Sequence, residues 1–115
     1  MKEAVIVAAT RTPIGKAFKG SLVECRPDDL TALIIKSLLE KTPGLEASAI
    51  EDLIVGCAQP AGESGYNLAR AASVVAGLPD VPGTTVNRYC ASSLQAVRMA
   101  AHAIKAGEGD VFMAC

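Results

Sequence analysis

The segment Thr84-Thr85-Val86-Asn87-Arg88-Tyr89-Cys90-Ala91-Ser92-Ser93-Leu94-Gln95-Ala96 changes character at its middle. Its first five residues are β-branched and polar, the composition of a strand. From Cys90 onward alanine, leucine and valine recur with helix-forming neighbours, and Gly107 supplies a stop. Val111-Phe112-Met113-Ala114 follows as a second short apolar run. Strand, helix, strand in this order is the unit of a parallel sheet, because parallel neighbours need a crossover connection. We therefore predict a strand over 84–88, a helix over 90–106 and a strand over 111–114.

The predicted helix is unusual. Between Cys90 and Ile104 only Arg98 carries a fixed charge, with His102 as the one ionisable neighbour. Its apolar positions Ala91, Leu94, Ala96, Val97, Ala100, Ala101, Ala103 and Ile104 spread over more than one face. A helix of this kind is covered on most sides rather than lying on a surface.

The same alternation extends upstream. Ala4-Val5-Ile6-Val7-Ala8-Ala9 is a continuous apolar run of the kind found in a strand buried on both faces. A polar loop over 10–24 carries the breakers Pro13, Gly15 and Gly20. Pro27-Asp28-Asp29 opens a helix, since proline suits a first turn and acids favour the positive end of the dipole. Leu30, Leu33, Ile34 and Leu38 keep helical spacing, and Pro43-Gly44 closes it. Ser48-Ala49-Ile50-Glu51 has the form of a capping box, Leu53-Ile54-Val55 reads as a strand ending at Gly56, and a helix is expected over 66–76 before Gly77. The whole is βαβαβαβ, an α/β fold with a mostly parallel sheet. The chain stops inside an apolar strand, so we expect it to be a piece of something larger.

Composition removes several classes of function. Half of the 115 residues are apolar, which is enough for a core and excludes a disordered chain. Eleven basic residues meet twelve acidic ones with no basic run, so nucleic acid is not an expected partner. No apolar stretch reaches the roughly 18 residues of a membrane span. Residues 1–9 lack the long apolar core of a secretion signal. Cys25, Cys57, Cys90 and Cys115 make no C-x-x-C pair, so neither a zinc site nor a redox dithiol is expected, and the thiols read as reduced and cytoplasmic.

Cys90 is the candidate that carries chemistry. At the start of a helix, unpaired N–H groups and the positive end of the dipole favour a thiolate. The same N–H groups stabilise an oxyanion when a thiolate attacks a carbonyl. The alternative is a small cysteine that packs like an alanine. Arg88, two residues earlier along a strand, would share a side with Cys90 and help the thiolate, or else pair with a carboxylate at a surface. His102 is the only histidine, twelve residues further along the helix. At 1.5 Å per residue that is about 18 Å, too far to touch Cys90. Ser92 and Ser93 read as capping or packing residues, Gly62-Glu63-Ser64-Gly65 as a connector, and Cys25, Cys57 and Cys115 as inert packing.

Arg11-Thr12-Pro13-Ile14-Gly15-Lys16, Asn67-Leu68-Ala69-Arg70 within the Gly62 to Pro79 region, and Val86-Asn87-Arg88-Tyr89-Cys90-Ala91-Ser92-Ser93-Leu94-Gln95-Ala96 carry a family resemblance, joined by Ala106-Gly107-Glu108-Gly109-Asp110. On these motifs the chain resembles the N-terminal portion of a thiolase, over essentially its whole length. The resemblance implies most of the first half of a five-layer αβαβα architecture, with the helix after Cys90 in the central layer between two sheets. Residues 1–115 would then be an incomplete N-terminal domain, cut before the loop domain and the C-terminal half. It also implies an acyl-CoA C-acyltransferase in which Cys90 takes an acyl group from an acyl-CoA or a 3-ketoacyl-CoA and passes it to a second CoA. Coenzyme A would be a substrate, with no permanently bound cofactor or metal, and the subunits would form a homodimer or homotetramer. The strand over 84–88 and the loop over 62–67 would lie at its two-fold interface. The family's activating histidine and second catalytic cysteine belong to glycine-rich motifs not found in these residues, and Cys115 does not fall in one. Ser93 stands where the family usually has glycine in Cys-x-Ser-Gly-Leu-Gln, which bears on substrate preference more than on chemistry. A ketoacyl synthase of the same fold and a non-catalytic oligomerisation module are the alternatives.

Overall fold

The computed structural model describes all residues from Met1 to Cys115. Three helices, α1 (Pro27–Glu40), α2 (Leu68–Val75) and α3 (Ser92–Ala106), surround three strands, β1 (Asp52–Gly56), β2 (Gly83–Val86) and β3 (Phe112–Ala114). The strands are parallel in the order β2-β1-β3, with Leu53 opposite both Gly83 and Met113.

The topology follows from handedness. From β1 the chain steps outward through α2 to β2, then returns across β1 through α3 to reach β3 on the far side. Both crossovers are right-handed only if the second helix lies on the opposite face of the sheet. The buried clusters obey this. Leu53, Val55 and Met113 face Ala32 and Ile35 of α1 and Leu68, Ala69 and Ala72 of α2. Ile54, on the alternate side of β1, packs on Ala96 and Ala100 of α3. The result is an α/β/α sandwich in which one sheet buries one face of α3 and leaves Leu94 and Val97 exposed.

Helix boundaries match their local signals. Pro27 begins α1 with Asp28 and Asp29 in its first turn. Asn67 caps α2, its Oδ1 accepting from the Arg70 N–H at 3.3 Å and from the Thr85 hydroxyl at 2.7 Å. Its Nδ2 donates to the Gly83 carbonyl at 2.7 Å, so one side chain ties the start of α2 to β2. Gly107 ends α3 in the left-handed region at φ 80°, where glycine carries no Cβ penalty.

Two expectations are corrected. Ala4 to Ala9 is not a strand of this sheet. The segment runs outside it, with Val5, Ile6 and Val7 exposed, and is held by Lys2 on Asp110 and by Lys41 donating to the Ala9 carbonyl. An open cleft of about 670 Å³, lined by Val5, Val7, Leu45, Ile104 and Phe112 among others, separates it from β3. Apolarity signals a need for burial, whereas a strand also needs a hydrogen-bonding neighbour, and β3 does not serve as one here. The four-strand βαβαβαβ pattern is therefore three strands in one sheet. Ser48 and Glu51 form no capping box: residues 47–49 make a single 3₁₀ turn with no side-chain cap. Glu51 instead accepts from the backbone N–H groups of Asp110 and Val111, closing the approach to β3.

Candidate active site

Cys90 lies where the chain leaves β2 and enters α3, at the carboxyl end of the sheet, the edge at which open α/β folds gather their ligands. The junction is tighter than a plain strand-to-helix step. Residues 89–91 form a 3₁₀ turn and α3 proper begins at Ser92, two residues later than predicted. Tyr89 adopts φ 47°. A bulky L-residue in the left-handed region stores about 1–2 kcal/mol of strain. The strain turns the backbone sharply and leaves the Cys90 side chain exposed at the crest of the bend.

Polar side chains hold the bend. The Asn87 carboxamide oxygen accepts from the Tyr89 N–H at 2.8 Å. The Ser92 hydroxyl accepts from the Arg88 N–H at 2.9 Å and donates to the Tyr89 carbonyl at 2.6 Å. Ser92 is only 4% exposed. It therefore does more than the capping or packing expected of it, while Ser93 remains exposed. Beneath Ser92 lies Gly56, the last residue of β1. A Cβ on Gly56 would come within 2.3 Å of the Ser92 carbonyl carbon and 2.4 Å of the Ser93 nitrogen. Only glycine lets β1 and the start of α3 approach this closely.

The remaining candidates fall elsewhere. Arg88 does not share a strand face with Cys90, because β2 ends at Val86 and the left-handed Tyr89 breaks the alternation. Its side chain lines a small cavity of about 100 Å³ with Leu94, Gln95 and Arg98, and Cys90 is not part of that lining. His102 is exposed near the far end of α3. Cys115 is partly buried, and burial pushes its thiol up from the ordinary range, so it is less readily a thiolate. Cys57 is partly buried against the α1/α2 side of the sheet. Cys25 is exposed rather than packed, with its Sγ 3.7 Å from the Arg26 carbonyl. No group of three or more His, Cys, Asp or Glu side chains gathers into a possible metal site. No helix is long and apolar enough to cross a membrane. Tyr89 and the paired roles of Asn87 and Ser92 were not foreseen, since positive φ at a non-glycine residue leaves no mark in composition.

An exposed thiol on a strained strand-to-helix bend is a nucleophile's geometry. The sulfur is free on its outer side for an electrophile, and the turn behind it is fixed on both flanks by hydrogen bonds. Residues 4–115 match the family model for the thiolase N-terminal domain. The chain is 53% identical to a 3-ketoacyl-CoA thiolase of Bacillus subtilis over 99% of its length and 29% of that relative's. It is 50% identical to a 3-oxoadipyl-CoA/3-oxo-5,6-dehydrosuberyl-CoA thiolase of Escherichia coli, over 99% of the chain and 28% of the relative. A beta-ketoadipyl-CoA thiolase of Acinetobacter baylyi is also 50% identical over the same shares. The chain thus spans less than a third of the length of the curated relatives it matches.

Proposed function

Because the chain belongs to the thiolase family, through that family's N-terminal domain, we propose that it is the nucleophile-bearing part of an acyl-CoA C-acyltransferase. The observation that carries this reading is Cys90, exposed on the bend between β2 and α3. All three relatives named above are thiolases of 3-oxoacyl-CoA thioesters, so that substrate class is proposed here too.

In the cleavage direction the Cys90 sulfur, having lost its proton to a base, attacks the C3 carbonyl carbon. The C2–C3 bond then breaks, and its electron pair leaves on C2 of the departing acetyl-CoA, which takes up a proton. Cys90 keeps the shortened acyl group as a thioester. The thiol of a second coenzyme A, losing its proton to the base, attacks that thioester; the bond from the acyl carbon to the Cys90 sulfur breaks, releasing a new acyl-CoA and the free Cys90 thiol. Dividing the transfer into two steps through a covalent intermediate lowers the barrier to each. The base is not His102, which lies ten residues, about 15 Å, beyond the start of α3 at Ser92, so we assign it to a residue outside 1–115. Coenzyme A is a substrate in this scheme and no resident cofactor is invoked. Residues 1–115 form the N-terminal portion of the domain that carries the nucleophile, and we place the full-length protein in the cytoplasm.

The test is to incubate the full-length protein with a 3-ketoacyl-CoA while withholding free coenzyme A. Mass spectrometry of the digest should find one acyl group on the peptide that contains Cys90. An acyl group elsewhere, or none, refutes the reading.

A homodimer or homotetramer is proposed on related grounds. β2 is an edge strand, and the loop from Gly62 to Asn67 lies against it through the Asn67–Gly83 and Thr85–Asn67 hydrogen bonds. Such an edge, with unpaired backbone groups, is suited to strand pairing about a two-fold axis. Thr84→Lys, which places a charge at an exposed position of this edge strand, should shift the full-length protein toward monomer in sedimentation. An unchanged mass in that variant removes β2 from the interface.

A further inference from the structure

The Ser92 hydroxyl occupies a position that nucleophilic chemistry at Cys90 does not itself require. It is buried, it lies on α3, and both of its hydrogen bonds go backward, one to the Asn87–Arg88 peptide and one to the Tyr89–Cys90 peptide. The carbonyl to which it donates belongs to the Tyr89–Cys90 peptide. Fixing that oxygen fixes the plane of the peptide, and with it the direction of the Cys90 N–H and the point from which the thiol side chain departs. The other bond holds the Arg88 N–H of the Asn87–Arg88 peptide, so Ser92 ties together the two residues that lead into Cys90. Ser92 is itself immovable on its inner side, because Gly56 meets its backbone with no room for a Cβ. The end of β1 therefore acts as a stop, Ser92 as a bracket, and Cys90 as the bracketed group. Asn87 adds a separate tie from the strand side, through the Tyr89 N–H.

We propose that Ser92 is a positioning residue for the acyl-transfer step, holding the strained Tyr89–Cys90 peptide in the orientation from which the sulfur attacks, with Asn87 as its weaker counterpart. This rests on the reading of Cys90 as the acyl-accepting nucleophile. A clamp on the nucleophile's backbone acts on the geometry of attack rather than on the holding of a thioester substrate. Its loss should appear in the rate of the covalent step and leave substrate affinity nearly intact.

The experiment uses the full-length protein, with Ser92→Ala and Asn87→Ala compared against wild type. Single-turnover acylation of Cys90 by a 3-ketoacyl-CoA is measured beside steady-state kcat and KM, with thermal unfolding as the check on folding. Ser92→Ala should slow acylation and lower kcat by about 30- to 100-fold, the scale on which a misplacement of about 1 Å acts. KM should stay within about threefold. Asn87→Ala, at an exposed side chain that burdens folding less, should lower the acylation rate by about three- to tenfold. A folded Ser92→Ala protein that acylates at the wild-type rate overturns the proposal, as does a loss confined to KM. If Ser92→Ala does not fold, Asn87→Ala decides: an unchanged acylation rate overturns the clamp and a slowed one supports it. Wild-type acylation of Cys90 separates the two layers of the argument. Where it occurs and both variants match it, only the positioning role fails. Where wild type does not acylate Cys90, the nucleophile reading fails and takes the clamp with it.

Discussion

Full-length protein carrying Cys90→Ser should bind acyl-CoA and coenzyme A with near-normal KM and turn them over about 10⁴-fold more slowly or worse. The expected size follows from the chemistry of the attacking atom. A thiol is a few per cent ionised near pH 7 even without help, and its thiolate is intrinsically very nucleophilic, whereas an alcohol at the same site is essentially un-ionised. Serine is nearly isosteric and Cys90 is exposed, so the substitution creates no cavity and buries no new polar group. Unfolding should therefore be unchanged while the rate collapses. Cys25→Ser provides the internal control: it makes the same atomic change at another exposed thiol, outside the β2–α3 bend, and should leave the rate within about twofold. A Cys90→Ser protein that retains turnover would show that Cys90 is not the acyl-accepting nucleophile.

How much of this was legible beforehand differs from element to element for physical reasons. Where a residue type has a local consequence, the sequence was sufficient. Pro27 with two acids begins α1, Gly107 ends α3 in the left-handed region, and the position of Cys90 between a β-branched run and a helical one puts it at the bend. Where the outcome depends on a distant partner, reading failed. The run from Ala4 to Ala9 has the composition of a buried strand, yet its neighbours in this chain do not offer it a ladder. Glu51 sits at the right offset from Ser48 for a capping box, but two N–H groups about sixty residues away claim its carboxylate. Arg88 was assigned by strand alternation, and the alternation ends one turn too soon because Tyr89 crosses into positive φ. That conformation is held by short-range hydrogen bonds from Asn87 and Ser92, with Gly56 of β1 packed against the Ser92 backbone, a combination that residue propensity alone does not mark.

Expressed alone, residues 1–115 should associate or melt without a cooperative transition, and should show no thiolysis. The accessible surface of the chain is 7470 Å². A compact monomer of 11.8 kDa would expose about 5,900 Å² by the usual scaling of area with mass. The excess is therefore about 1,600 Å². With somewhat more than half of such a surface apolar, and about 25 cal/mol per Å², it amounts to about 20 kcal/mol of burial not realised within this chain. The whole net stability of an ordinary domain is about 5–15 kcal/mol. The excess also has a location. Leu94 on the outer face of α3 is 70% exposed, Val97 lies beside it, and Val5, Ile6 and Val7 stand off from the sheet across an open cleft. Only 17 of the 115 residues are buried, a small core for the entropy of ordering the rest. Catalysis should fail for an independent reason, since the only histidine lies about 15 Å along α3 from its first residue, Ser92, beyond reach of the Cys90 thiol. Sedimentation, calorimetry and a thiolysis assay on the 115-residue chain test both halves. A monomer with a sharp unfolding transition would show that the uncovered faces of α3 and of residues 5–7 cost far less than their area implies. Turnover by that monomer would place the base within these residues after all.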